Sequence, residues 1–305
     1  MREPLGATTI FHYSMTSLDL YKSFEEKGEY FYINRPIETI EDLDNLWIHF
    51  ESFEKGFGLS YRGVKNSGYK LYNTFQRMWI THNLENYRMK YEDLIESFLK
   101  TSKIQSPIKD LLKAEHDDLG TLSIMQHYYM PDNGYSQPTP LLDLTFNPFI
   151  ALYFAFEPSA KENISSELDK YCSVYSVNIH NVKLQGYQNL FYAFIQNEAG
   201  NKITYKSINL PSLFHLHTDD DYFQVINNQR IKNQEGLFFM MNDSDFPLEK
   251  RLKLDIDFAV AEGRLPKKTS SKVFLCHDIN KNLRQYALNR LEKEKGIFHS
   301  FVYPD

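Results

Sequence analysis

Cysteine is scarce in this chain, which has only Cys172 and Cys276 among 305 residues. Two cysteines so far apart form neither a disulfide framework nor a cysteine-based metal motif. Both lie in apolar runs. We therefore expect buried thiols in a protein of a reducing compartment.

Long hydrophobic runs are also missing. The longest strongly apolar run, residues 149–156, is far shorter than the roughly 20 residues that span a bilayer. Residues 1–4 lack the charged and apolar regions of a secretion signal. We therefore expect a soluble, cytoplasmic protein with no membrane partner.

Positive charge is not in excess, since the net charge is −6. This balance disfavours general binding to nucleic-acid phosphates, although a local basic patch remains compatible with it. The apolar fraction of 42% supports a sizeable core, and neither repeats nor low-complexity linkers divide the chain. We expect one α+β domain over residues 38–305, preceded by an N-terminal appendage, residues 1–37.

Local patterns predict several elements. Thr39 with Asp42 is a weaker form of the capping box, and the pair Asn147-Pro148 is typical of a helix start. The predicted helices follow these two signals or cover residues 88–100, 106–113, 117–129 and 283–294. The predicted strands cover residues 58–64, 171–179, 237–241, 256–261 and 272–276.

One polar group of residues stands out because its surroundings are apolar. His127, Asp143 and Thr145 lie in a segment, residues 125–155, that is otherwise rich in aromatic and aliphatic side chains. Burying a polar group without a partner costs roughly 2–7 kcal/mol. These side chains therefore either satisfy one another in a structural network or face a ligand.

Several segments form one recognisable set of motifs. They are residues 61–63 (Tyr-Arg-Gly), 72–77, 92–98, 126–128, 138–139, 141–155, 230–238, 296–297 and 303–305. Together these segments resemble the FRG domain, a bacterial and phage-associated module. The likeness covers roughly residues 38–305. The chain departs from the pattern at Pro140, where the family usually has arginine, and at residues 129–131 with the insert that follows them.

The order of these motifs is also similar to that of the ADP-ribosyltransferase fold. That resemblance implies a split, twisted, mixed β-sheet flanked by helices, with NAD as co-substrate and no metal. It further implies a macromolecular acceptor (RNA, DNA or protein), a toxin or anti-phage defence context, and an antitoxin or immunity protein as a possible partner. The alternative is a non-catalytic FRG module that senses a nucleotide or binds a protein.

In this resemblance the segments around Arg62 and Thr145 would bind the cofactor. Arg62 would hold its phosphates or ribose, or else form a structural ion pair with Asp143. Gly63 would let the ligand approach the backbone, or serve a bulge. Thr145 would bond the nicotinamide ribose or cap the helix after it. Asp143 would orient His127 or pair with Arg62.

Nicotinamide would stack on an aromatic ring of the helix that begins at Pro148. Tyr153 and Phe154 are the candidates, although both residues also suit a plain core.

The third motif, residues 230–238, would supply catalysis. Gln234 matches the family pattern, whereas Glu235 suits an oxocarbenium-like transition state better because it carries charge. On a strand the two side chains would point to opposite faces. His127 is the candidate base that activates the acceptor, or a structural histidine.

Two other sets of residues were weighed. Arg230 would pin a turn or contact a second phosphate. A metal-dependent nuclease would need clustered ligands, and His215, His217 and residues 219–221 come nearest to such a cluster.

Overall fold

The fold is described from a computed structural model. The structure describes residues 20–33, 35–53, 59–84, 90–97 in part, 138–157, 166–178, 212–214, 230, 233–240, 246–263, 266–267 and 274–304.

The described residues form an α+β fold. The helices are α1 (Phe24–Gly28), α2 (Ile40–Phe53), α3 (Thr74–Thr81), α4 (Pro148–Phe156), α5 (Leu248–Ala261), α6 (Arg284–Arg290) and α7 (His299–Val302). The strands are β1 (Tyr32–Ile33), β2 (Leu59–Val64), β3 (Leu141–Thr145), β4 (Tyr171–Asn178), β5 (Ser212–Phe214), β6 (Gly236–Met240) and β7 (Phe274–Asn280). Short 3₁₀ turns precede β4 and α6, and a π-helical turn, Leu291–Lys295, follows α6.

All these strands belong to one sheet, in the order β1-β7-β4-β2-β3-β6-β5. The β1–β7 pair is parallel and the other neighbouring pairs are antiparallel. The sheet is therefore mixed, as the sequence predicted. Its β2–β3 contact is narrow, because only Tyr61 and Thr145 pair there, whereas β2 pairs with β4 along its whole length.

Alternation along β2 divides the core between the two faces of the sheet. Tyr61 packs in a cluster with α2, α4 and α6, while Val64 packs in a second cluster with α5. The intervening residue Arg62 has the same parity as Val64. Helices thus flank both faces, which agrees with the predicted α+β class.

Gly63 allows the closest approach between the sheet and a helix. A Cβ atom built on Gly63 would lie 1.8 Å from the carbonyl oxygen of Ala151 and 2.6 Å from the amide nitrogen of Ala155. A side chain at this position would therefore force α4 away from β2. The glycine serves helix packing on this side of the strand.

The N-terminal stretch is tied into the sheet by a buried ion pair. Lys27 is fully buried and its ammonium group contacts Asp278 at 2.5 Å. It also donates to the hydroxyls of Ser67 at 2.9 Å and Ser173 at 3.0 Å. Part of the segment assigned to an appendage thus packs on the sheet and supplies β1, while the predicted division at residue 37 stays a prediction.

The cap and helix-start predictions are confirmed. The hydroxyl of Thr39 accepts from the amide of Asp42 at 3.1 Å, and the Asp42 carboxylate accepts from the amide of Thr39 at 3.2 Å. Asn147 accepts from the amide of Phe149 at 2.9 Å, with Pro148 in the first turn.

The strand predicted over residues 256–261 is wrong, because this segment ends helix α5. Leu252 and Ile256, four residues apart, pack on the sheet. That spacing is helical. The apolar run over residues 256–261 is too short to distinguish a helical period from the alternation of a strand. The helices predicted over residues 106–113 and 117–129 lie outside the described residues.

Within the described ranges, no helix has the length and apolarity needed to cross a bilayer. In the same ranges, no group of three or more metal-ligating side chains converges. His215, His217 and residues 219–221 lie outside those ranges.

Candidate functional site

A cleft of about 340 Å³ opens beside the narrow contact between β2 and β3. It lies where the two strands separate beyond the Tyr61–Thr145 pair. The lining residues come from four parts of the chain that are distant in sequence. They are Tyr61, Arg62, Gly63, Val64, Lys65, Tyr69, Arg77, Asp143, Leu144, Thr145, Phe154, Glu157, Arg230, Gln234 and Tyr303.

Arg62 extends from β2 towards β3 and its guanidinium donates to the backbone carbonyl of Asp143. Its Nε atom is buried and has no hydrogen-bond partner among the described residues. Burial lowers the pKa of Arg62, Asp143 opposes this shift, and the nearby Arg77 adds to it. The structure thus holds a fixed guanidinium at the cleft, with hydrogen-bonding capacity left over.

The cleft is more basic than the chain as a whole. Four basic side chains line it, and they are Arg62, Lys65, Arg77 and Arg230. The acidic residues of the lining are Asp143 and Glu157. Because the whole chain carries a net charge of −6, this local excess of positive charge marks the cleft as a site for an anion.

Aromatic rings also line the cleft, where Phe154 and Tyr303 form an aromatic wall. Phe154 packs edge to face against Tyr303, with ring centroids 6.2 Å apart. The guanidinium of Arg230 lies 4.8 Å from the centre of the Tyr303 ring, and Arg230 thereby supports this wall. Burial and the carboxylate of Glu157, which accepts from the Tyr303 hydroxyl, raise the pKa of Tyr303.

Glu157 lies where α4 ends and forms a partly exposed ion pair at the cleft. Its carboxylate is 2.9 Å from the ammonium of Lys65, whose side chain is 39% exposed. The partial exposure of Lys65 means that this pair can open without burying an unpaired charge.

Thr145 uses its hydroxyl within the protein. The hydroxyl donates to the backbone carbonyl of Gln234 at 2.6 Å and accepts from the amide of Asn147 at 2.9 Å. Thr145 is buried, and its hydroxyl joins the end of β3 to the turn at Gln234. The structure therefore favours the structural alternative for Thr145, with Asn147 supplying the helix cap itself.

Gln234 lines the cleft, but its side-chain amide is engaged with the C-terminal segment. Its Nε2 donates to the backbone carbonyl of Val302 at 2.9 Å, next to the aromatic wall residue Tyr303. Asn233 makes a parallel contact, donating to the carbonyl of Phe301 at 2.7 Å. Gln234 therefore holds the C-terminal wall of the cleft in place.

Glu235 is not among the residues that line the cleft. Its carboxylate accepts from the side-chain amide of Asn147 at 2.9 Å, at the start of α4. The expectation that Gln234 and Glu235 alternate on a strand is wrong, because both precede β6 in a turn. Glu235 adopts a left-handed backbone conformation there, with φ of 45°.

The other predicted residues divide between the cleft and its supports. Asp143, Gly63 and Phe154 line the cleft. Tyr153 does not line it, since the ring is buried and the hydroxyl lies 3.4 Å from Nδ1 of His299. His127 lies outside the described residues.

Eight lining residues had no predicted role in the site. They are Tyr61, Val64, Lys65, Tyr69, Arg77, Leu144, Glu157 and Tyr303. Arg77 and Tyr303 were included in the family-like motifs, so the signal was present without a role attached to it. Lys65 and Glu157 follow directly after β2 and α4, and nothing in their local sequence marks them as cleft residues.

The comparison with protein families matches the part of the chain that supplies the cleft residues of β2, β3 and α4. The family model described as the FRG domain matches residues 58–164. This part of the chain, which carries Arg62, Asp143 and Thr145, is therefore similar to the FRG domain. The match is shorter than the range expected from the motifs, and it stops before Gln234 and Tyr303.

No curated protein and no solved structure matches the chain in the other comparisons. The α+β class therefore rests on the architecture described above.

Proposed function

We propose that the cleft binds the phosphates of a nucleotide, and that NAD is the ligand class it serves. The observation that carries the proposal is the fixed guanidinium of Arg62 at the base of a basic cleft. Guanidinium groups bind phosphate through paired hydrogen bonds, and holding the group in advance lowers the entropic cost of binding.

The size and lining of the cleft support this ligand class. Its volume of 340 Å³ lies near the lower end of the roughly 300–1,000 Å³ of ligand pockets. A pyrophosphate and one adjoining sugar would occupy it, with a base at its mouth beside Phe154 and Tyr303. The residues present therefore fit a dinucleotide that is partly enclosed.

The reaction we propose is ADP-ribosyl transfer to a macromolecular acceptor, in a toxin or anti-phage defence context. The bond between nicotinamide and ribose breaks, nicotinamide leaves with the bonding electrons, and an acceptor nucleophile forms a new bond to the ribose carbon. The acceptor class, whether RNA, DNA or protein, and an antitoxin or immunity partner belong to the same proposal.

The carboxylate that stabilises the positively charged ribose is assigned to Glu157 in this proposal. Glu235 is bonded to Asn147 and points its carboxylate elsewhere. Asp143 interacts with the charge of Arg62, which reduces its capacity to stabilise a second cation. Glu157 lines the cleft, and its contacts there are with the partly exposed Lys65 and the hydroxyl of Tyr303.

A second candidate function is supported by a specific observation. The polar groups of Thr145, Gln234 and Glu235 are all used in hydrogen bonds within the protein. Such an arrangement suits a module that binds a nucleotide without cleaving it. This sensing module is the alternative to the transferase.

Incubation with NAD labelled in the adenylate part tests both functions. The transferase predicts release of nicotinamide and transfer of label to total protein, RNA or DNA, with both lost in Arg62→Gln. Saturable binding without release supports the sensing module instead. No binding by a folded wild-type protein contradicts the proposal as a whole.

A further inference from the structure

A second guanidinium reaches the cleft from helix α3. Arg77 lines the same cleft as Arg62, although the two residues lie on different elements. Arg77 is near enough to lower the pKa of Arg62 by direct charge repulsion. Two like charges facing one cleft repel each other, and an anion placed between them would relieve that repulsion.

Backbone carbonyl groups hold the Arg77 side chain. Its Nε donates to the carbonyl of Tyr72 at 3.3 Å, and an Nη atom lies 3.5 Å from the carbonyl of Lys70. These contacts set the direction of the side chain. Arg62 is held in the same manner, by the carbonyl of Asp143.

The helix that carries Arg77 is itself anchored. Asn73 and Gln76 form a capping box at the start of α3. Asn73 also donates to the carbonyl of Pro140 at 3.0 Å, and Gln76 donates to the carbonyl of Phe246 at 2.9 Å. The first turn of α3 is thus fixed to the start of β3 and to the segment before α5, which places Arg77 on a rigid support.

We propose that Arg62 and Arg77 form a two-guanidinium subsite that selects a pyrophosphate over a single phosphate. The inference rests on the proposed nucleotide function and names the part of the ligand that the cleft recognises. Each guanidinium would contact one phosphate group, and Asp143 would disfavour a third negative charge nearby. The buried Nε of Arg62 gains a hydrogen-bond acceptor when the ligand is present.

Isothermal titration calorimetry with ADP, AMP and adenosine tests the subsite. Wild-type protein is expected to bind ADP at least about tenfold more tightly than AMP, and adenosine more weakly than AMP. Arg77→Gln is expected to lose about 10- to 100-fold in affinity for ADP while its affinity for adenosine stays within about twofold. Arg77→Lys, which keeps the charge without the planar fork, is expected to fall between the two.

Lys253→Gln is the matched control, because Lys253 is an exposed basic residue paired with Asp257 outside the cleft. Its affinity for ADP is expected to equal that of wild type. Circular dichroism and thermal melting establish that each variant is folded, and Arg77→Lys carries the test if Arg77→Gln is unfolded.

Two results would overturn the inference in distinguishable ways. If wild type binds ADP and NAD and both Arg77 variants bind them equally well, the subsite is refuted while the nucleotide function stands. If wild type binds neither ligand, the nucleotide function fails, and the subsite fails with it.

Discussion

The guanidinium of Arg62 donates to the backbone carbonyl of Asp143, at the point where β2 and β3 separate. A side chain thereby bridges a gap that a regular antiparallel ladder would close with backbone hydrogen bonds. The contact places the guanidinium of Arg62 in the lining of the cleft. The proposed binding of phosphate depends on this placement.

Gly63→Ala is expected to destabilise the protein by about 3 kcal/mol or more, because the new Cβ would overlap the backbone of α4 at Ala151. Chemical denaturation measures the loss. Gly68→Ala is the control, since its Cβ would approach no backbone atom closer than 3.7 Å and would lie 3.2 Å from Oδ1 of Asn66. Equal stability of the two variants would contradict the close helix–sheet contact.

Lys27→Met is expected to cost about 3–5 kcal/mol of folding free energy, because it leaves the buried carboxylate of Asp278 without its cation. The exposed pair between Lys253 and Asp257 provides the comparison, and Lys253→Met is expected to cost less than about 1 kcal/mol. Urea unfolding of both variants measures the difference. Similar small losses would show that the Lys27 network does not anchor the N-terminal stretch.

Glu249 is expected to make stability depend on pH. It is fully buried, accepts from the amide of Leu71 and is bonded by Tyr21; burial raises its pKa to about 7. The folded state therefore binds more protons than the unfolded state between about pH 4.5 and pH 7. The contribution of Glu249 to stability is thus greatest below that window and falls as the pH rises through it.

Glu249→Gln removes this titration while keeping an acceptor oxygen. We expect the stability of the variant relative to wild type to rise by about 1–3 kcal/mol between pH 5 and pH 8, measured by urea unfolding at each pH. Exposed Glu292→Gln should show no such trend. A constant difference between Glu249→Gln and wild type would mean that the buried carboxyl titrates normally.

The proposed transfer reaction is expected to depend on Glu157 and not on Glu235. Glu157→Gln is expected to slow nicotinamide release by about 100-fold, since a charge that stabilises the transition state is removed. Glu235→Gln keeps the acceptor for Asn147 and should change release by less than about twofold. Release rates at saturating NAD measure both effects. Loss of activity in Glu235→Gln alone would return the catalytic role to the third motif.

Much of the fold was readable from local chemistry. Thr39 with Asp42 and Asn147 with Pro148 predicted two helix starts, because capping depends on neighbouring residues alone. The prediction of a strand over residues 256–261 was wrong, since an apolar run this short shows neither the helical nor the strand period clearly. Its helical state depends on packing against the sheet, which involves residues distant in sequence.

The cleft was predicted in part. Arg62, Thr145 and Gln234, the residues expected to converge on one cleft, all line the same cavity. The bond from Thr145 to the carbonyl of Gln234 and the bond from Asn147 to Glu235 were not readable, because each joins residues that are distant in sequence. The position of Glu157 depends on where α4 ends relative to Lys65, which no local pattern encodes.

The most direct measurement is a crystal structure of the protein soaked with ADP-ribose, the pyrophosphate-containing part of NAD. The account predicts phosphate oxygens within about 3 Å of the Arg62 guanidinium, with the sugar directed towards Phe154 and Tyr303. Phosphates bound at another surface, with the guanidinium of Arg62 sealed from them, would contradict it.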